Sequence, residues 1–262
     1  MNGAGNDMDG TSLTFQRIRF ENIGASKPLI GIDLGEVHVQ GFMLDISDAE
    51  QTRAAQALSR DEQERADRLV SERHRRHFMA AHAGLRVLLS RYCGSRPQEL
   101  VIRNATTGKP FLSDFASIRF NLTHSHGRAL IAVARDREVG VDLEKVRPEV
   151  DVGRLAKRFL SDRDQAFIED GEPSERHERF LQAWVAREAV FKADGSGMTF
   201  PLYRDYVELT HDGRAGWLIL GDGSSEGTRR FLRFLTLEPG WVGAVAAEGT
   251  NWMITCHSST ES

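Results

Sequence analysis

VGVDLEKVRP, residues 139–148, is the stretch on which the fold turns. Val139, Val141 and Leu143 alternate with Gly140, Asp142 and Glu144. Residues two apart on a strand point to the same face. The alternation predicts a strand that turns its valines and leucine to a core and sets Asp142 and Glu144 side by side on the other face. Two carboxylates that close repel each other unless a cation or a proton lies between them. An edge strand with a solvated polar face would give the same pattern, so the tripeptide DLE needs a partner from elsewhere in the chain.

Upstream, SIRFNLTHSHGRALIAVARDREVGVDLEKV (117–146) reads as three strands joined by short turns. VHVQGFMLDI (37–46) alternates like a strand, and SRDEQERADRLV (59–70) opens with Ser59 and Glu62 at capping-box spacing. Phe78, Ala81, Leu85, Leu88 and Leu89 recur at helical spacing in RRHFMAAHAGLRVLLSRY (75–92). From Arg73 to Arg96 there are six arginines, three histidines and no acid, which gives this helix a basic face. ELVIR (99–103) reads as a strand and ATTGKP (105–110) as a turn.

Downstream, LAKRFLS (155–161) is helical, and Ser161 caps a short helix with Asp164 in its first turn. HERFLQAWVAREAVFKADGSG (177–197) is a long helix with a glycine-rich stop. YVELT, GWLIL, RFLRFLTLE and GWVGAVAAEG follow as strands. HFMAAHAGLRVLL laid beside RFLQAWVAREAVF aligns Phe78 with Phe180. The expectation is an α+β fold of two similar, pseudo-symmetric halves, residues 29–136 and 137–262, with a ligand cleft between them. Residues 1–28 are polar, lack the apolar core of a secretory signal, and read as a mobile extension.

Composition narrows the function. A net charge of -4 over 262 residues gives no whole-protein case for nucleic acid or membrane binding. No apolar run approaches the roughly 20 residues of a membrane span. Cys93 and Cys256 are isolated, which predicts a reducing, cytoplasmic setting. GIDLGE (31–36) lacks a second acid two residues after Asp33 and reads as a loop entering the first strand. DGSGM (194–198) follows a helix and reads as a C-cap. Neither a Walker A sequence nor a strand-linked GXGXXG occurs.

Phe180, Trp184, Glu188 and Lys192 are four apart and form one line on the second long helix. Phe180 and Trp184 face the core, which leaves Glu188 partly buried with Lys192 one turn on. A solvated Glu–Lys pair is the plainer reading of these two. If Glu188 joins Asp142 and Glu144, three carboxylates converge in a hard oxygen site suited to magnesium. HEXXH and CXXC, which would suit zinc, are absent. Thr123, His124 and Ser125 in FNLTHSHGRA (120–129) offer donors for phosphate oxygens, as do the arginines of the basic helix and Lys109.

GKP, FNLTHS, VGVDLEKVRP and FLQAWVAREAVFKADGSGM, in that order, resemble the Sfp-type 4'-phosphopantetheinyl transferases. The similarity runs from about Val37 to about Glu248. The resemblance implies a monomer with coenzyme A in the cleft and a magnesium ion, or manganese, on Asp142, Glu144 and Glu188. It makes Glu188, Lys192 and His124 catalytic, and sets Thr123, His124 and Lys192 on phosphates. Gly108, Lys109 and Pro110 fall on the adenine side, and Arg73, Arg76 and Arg86 toward the coenzyme's phosphates. The implied reaction moves the phosphopantetheine arm of coenzyme A to a serine of an apo acyl or peptidyl carrier protein of fatty-acid, polyketide or peptide synthesis. The other readings are a metal-dependent hydrolase of coenzyme A-like pyrophosphates and an inactive coenzyme A-binding module. Arg187 departs from the family pattern, standing where W-x-x-K-E has lysine.

Overall fold

The computed structural model describes residues 12–17, 29–197, 204–221 and 228–256. In its first half, β2 (Glu36–Met43) is followed by three helices, α1 (Asp48–Ala55), α2 (Arg60–Asp67) and α3 (Glu72–Cys93). A 3-10 turn (Pro97–Glu99) and the hairpin of β3 (Ile102–Asn104) with β4 (Pro110–Leu112) lead to β5 (Ile118–Ser125) and β6 (Arg128–Arg135). In the second half β7 (Val139–Lys145) precedes α4 (Val152–Phe159), α5 (Asp162–Glu169) and α6 (Arg176–Asp194). Four more strands follow: β8 (Tyr206–Leu209), β9 (Ala215–Leu220), β10 (Thr228–Phe234) and β11 (Trp241–Ala247).

Each half is a sheet with a long helix on its outer face. The central strands of the first sheet run β2-β6-β5 and the second sheet runs β7-β11-β10-β9-β8, and these neighbours are all antiparallel. Alternation along β6 shows how the layers form. Ala129, Ile131 and Val133 pack against α3, while Leu130, Ala132 and Ala134 pack against Val141, Leu143 and Val245 of the second sheet. On the far side, Leu218, Leu232, Val242 and Ala244 pack against Val185, Ala189 and Val190 of α6. The order is helix, sheet, sheet, helix, which is the α+β arrangement of two similar halves expected from the sequence.

Capping signals mark the helix ends. Ser59 and Glu62 form a reciprocal capping box on α2, and Ser161 caps α5. Gly195 (φ 70°) ends α6 in the left-handed conformation, the C-cap expected of DGSGM, although Met198 lies outside the described residues. GIDLGE is a loop entering β2, as read. Helix α1 was not expected. ELVIR is not one strand: Glu99 closes the 3-10 turn that Pro97 opens, and only Ile102 and Arg103 join β3.

Strands from the two ends of the chain cross between the halves. β12 (Met253–Cys256) pairs in parallel with β2 of the first sheet, not with its sequence neighbours. Residues 12–17 are not a free extension. β1 (Gln16–Arg17) pairs with Phe42 and Met43, and Leu13 N–H donates to Thr236 O at 3.0 Å. Leu13 and Phe15 are buried in the core between the sheets, and the Arg128 guanidinium lies over the rings of Phe15 and Trp241 at 4.7 and 4.6 Å.

Candidate active site

β5 and β7 lie side by side, where the two sheets meet, without a shared backbone ladder. Side chains stitch this seam every second residue. Asn121 Oδ1 accepts from Val141 N–H at 3.0 Å, Thr123 Oγ1 donates to Asp142 Oδ1 at 3.0 Å, and Ser125 Oγ donates to Glu144 Oε2 at 2.9 Å. Thr123 and Ser125 are therefore on the strand itself, on the face that looks at the acids. The tight turn comes after them, at His126 and Gly127 (φ 43° and 79°).

The face of β7 opposite Val139, Val141 and Leu143 carries Gly140, Asp142 and Glu144, and α6 packs on it. Gly140 makes this possible. A Cβ there would lie 2.1 Å from Ala189 O and 2.4 Å from Ala193 N, so the helix backbone rests directly on the strand. Close contact brings the last turns of α6, with Glu188 and Lys192, over the two acids. Lys192 Nζ reaches Asp142 Oδ1 at 2.6 Å and Thr123 Oγ1 at 3.2 Å. Lys192 is thus drawn across to Asp142, and the plainer reading of a solvated Glu188–Lys192 pair does not hold.

Electrostatics tie the three acids together. Burial pushes the Glu144 carboxyl up, the charge of Asp142 adds to this, and the Ser125 hydrogen bond opposes it. Burial likewise raises Glu188. Lys192 opposes that shift, while Asp142 and Glu144 reinforce it. Burial lowers the His124 imidazole, helped by the positive charges of His82, His77 and Lys192. His124 alternates with Thr123 and Ser125, so it belongs to the basic side facing α3.

The expected phosphate ligands divide into two groups. Arg73 is exposed and within electrostatic reach of His126. Arg76 is held by Asp48 at 2.6 Å and by Ile46 O at 2.8 Å. Arg86 is a correction. Its guanidinium is buried, paired with Glu62, and donates to Pro97 O and Leu100 O at 2.8 and 3.0 Å, so it faces the protein interior and not a ligand. Lys109 is also committed: its ammonium meets Glu138, Val139 O at 3.2 Å and Ala193 O at 2.6 Å, clasping the GKP turn to β7 and the end of α6. Pro110 is half-buried at the start of β4, paired with Asn104.

Arg187 is fully buried, with no exposed side-chain surface. It pairs with the Asp164 carboxylate and donates to Ala183 O and Asp205 O, both at 2.7 Å. The residue at the usual lysine position therefore points away from Glu188 and binds α5 and the entry to β8 to α6. Ser125, read from the sequence as a donor for phosphate oxygens, instead gives its hydroxyl to Glu144. The signal for that placement was its period-two spacing from Thr123.

Sequence comparison matches this architecture. A profile described as the 4'-phosphopantetheinyl transferase superfamily matches residues 138–234, and one described as 4'-phosphopantetheinyl transferase, N-terminal, matches residues 44–137. The chain is 37% identical over 166 residues to 4'-phosphopantetheinyl transferase HetI of Nostoc sp., covering 62% of this chain and 70% of that protein. The chain belongs to the 4'-phosphopantetheinyl transferase superfamily. This transferase is also 25% identical over 211 residues to 4'-phosphopantetheinyl transferase Sfp of Bacillus subtilis, covering 80% of its own length and 91% of Sfp. A putative 4'-phosphopantetheinyl transferase of Synechocystis sp. matches over 144 residues at 35% identity, 54% of this chain and 58% of that protein. The transferase family uses coenzyme A as donor and carrier proteins as acceptors.

The donor set suits the magnesium that the family resemblance implies. Asp142 Oδ2 is buried and without a hydrogen-bond partner, and all three acids offer hard oxygens. Among the described residues, no three His, Cys, Asp or Glu side chains are drawn together as a ready-made metal cluster. Lys192 is the cation in contact with Asp142. Also among the described residues, no helix of this transferase is long and apolar enough to cross a membrane.

Proposed function

We propose that the seam between β5, β7 and α6 transfers the 4'-phosphopantetheine arm of coenzyme A to a serine of an apo acyl or peptidyl carrier protein, releasing 3',5'-adenosine bisphosphate. The observation that supports the reading is the contact of Lys192 with Asp142 and Thr123, beside the Ser125–Glu144 hydrogen bond, with Glu188 raised by burial and close enough for the charges of Asp142 and Glu144 to raise its carboxyl further. Asp142, Glu144 and Glu188 would hold magnesium, or manganese. Bound there, the ion would neutralise charge on the diphosphate oxygens.

Lys192, with four methylenes and partial exposure, can turn its ammonium to a phosphate oxygen. His124, lowered by burial, offers a neutral imidazole donor to the same ligand. The carrier serine supplies the nucleophile. Its Oγ attacks the phosphorus bearing the pantetheine, and the bond from that phosphorus to the bridging oxygen of the diphosphate breaks. Glu188, directly or through a water, takes the serine proton. Positioning and charge stabilisation supply most of the acceleration in such phosphoryl chemistry. Exposed Arg73 completes the basic side. The whole arrangement comes from one chain, which supports action as a monomer, and two cysteines outside any disulfide are compatible with a reducing cytoplasm.

The test is intact-mass analysis of apo carriers incubated with this protein, coenzyme A and magnesium. A phosphopantetheine-sized gain is expected with the wild type and none with Asp142→Ala or Glu188→Ala, both of which should keep their circular dichroism. Near-wild-type labelling by either variant, or carrier-independent cleavage of coenzyme A, would overturn the assignment.

A further inference from the structure

We infer that Lys192 is a built-in counter-ion that occupies Asp142 until a diphosphate draws it away, so that divalent metal and coenzyme A bind this protein as a coupled pair. The inference rests on the proposal that Asp142 is a metal ligand. Lys192 Nζ lies 2.6 Å from Asp142 Oδ1, and Thr123 closes a three-membered ring, accepting from Lys192 at 3.2 Å and donating to Asp142 at 3.0 Å. Asp142 is 5% exposed in its side chain and Lys192 is 29% exposed. The carboxylate is therefore fixed and the ammonium is the movable partner. Asp142 has one oxygen taken by these two donors and the other buried and unpartnered.

Such a site is stable without a metal because Lys192 already compensates the buried charge. A divalent ion arriving alone would share one carboxylate with the ammonium, and two cations at that separation repel strongly in a partly buried setting. A diphosphate changes the balance. It offers Lys192 an alternative anion within reach of its flexible stem and offers the metal extra oxygens. Each ligand then favours the other, and the coupling must be reciprocal. Glu144 is stitched to the Ser125 hydroxyl, whereas Asp142 is held by the Lys192 ammonium, so the coupling centres on the Asp142–Lys192–Thr123 ring.

The test is titration of the full chain with manganese chloride, followed by the electron paramagnetic resonance of free Mn2+, with and without coenzyme A. Lys192→Met should bind manganese alone at least tenfold tighter than the wild type, and Lys192→Arg no tighter. Coenzyme A should tighten manganese binding to the wild type at least tenfold and to Lys192→Met by a smaller factor, because there only the oxygens offered to the metal remain. Thr123→Val, which loosens the ring, should move in the direction of Lys192→Met by a smaller factor. If Lys192→Met does not fold, Thr123→Val and the wild-type coupling carry the test. A folded Lys192→Met that binds manganese no tighter than the wild type, or wild-type coupling below twofold, overturns the counter-ion role alone. Manganese binding that is unchanged by Asp142→Asn overturns the metal reading as well.

Discussion

Replacing Arg187 with methionine tests the reason for the family departure directly. The guanidinium has no exposed surface, and its partner Asp164 is 1% exposed. Methionine fills most of the volume but, among the described residues, leaves Asp164 with the Ser161 hydroxyl and the Val207 N–H, and takes from Asp205 O the Arg187 donor. Removing one partner of a buried ion pair costs about 3–5 kcal/mol. That is a large share of the roughly 5–15 kcal/mol that holds a domain folded. Arg187→Lys keeps the charge and loses part of the fork, so it should cost less, about 1–2 kcal/mol. The double variant Arg187→Met with Asp164→Asn removes the stranded charge and should be more stable than Arg187→Met alone. Urea unfolding followed by far-ultraviolet circular dichroism measures all of these. Carrier labelling by Arg187→Lys should persist, because a buried residue facing away from Glu188 does not move the serine proton. A loss below about 1 kcal/mol for Arg187→Met, or strict additivity in the double variant, would refute the reasoning.

Gly140→Ala should destabilise the protein by about 1–3 kcal/mol and depress labelling further than the stability loss explains, because the added methyl lifts α6 and its Glu188 off β7; unchanged labelling by intact mass would count against the close helix–strand contact. Burial would raise the Glu62 carboxyl, but His82, Arg86 and the Ser59 N–H together hold it at about 2 against an ordinary 4.5. The contribution is thus complete above about pH 4.5 and fades as pH falls toward 2. Wild type should exceed Glu62→Gln by up to about 3 kcal/mol at pH 6, and by visibly less at pH 3, in urea melts; a constant gap would remove the charge from the account.

The alternation around Asp142 and the line from Phe180 to Lys192 were legible because periodicity reports which face a side chain occupies. It does not report what lies opposite. The acid-free run from Arg73 to Arg96 suggested a free basic face, yet Arg86 finds Glu62 on α2 and turns inward. Lys192 was one turn from Glu188, yet its anion is 50 residues away on β7. Pairing was equally hidden. β7 follows β6 in the chain but pairs with β11. The GKP lysine reads as a ligand group from its motif, and only the fold shows three protein oxygens around it. Gly140 read as one member of an alternation, with nothing in the sequence to say that a helix backbone would rest on it.

The crossing of β12 to the first sheet has a consequence for anyone wishing to take the molecule apart. A gene divided between Arg137 and Glu138 would not produce two self-sufficient pieces. The leading fragment would leave Glu36–Val39 of β2 bare, a row of amides and carbonyls that recruits foreign strands. Reassembly would depend on the four-residue β12 finding its slot as well as on the core between the sheets, so solubility on co-expression, and precipitation when the leading fragment is made alone, are the behaviours to expect.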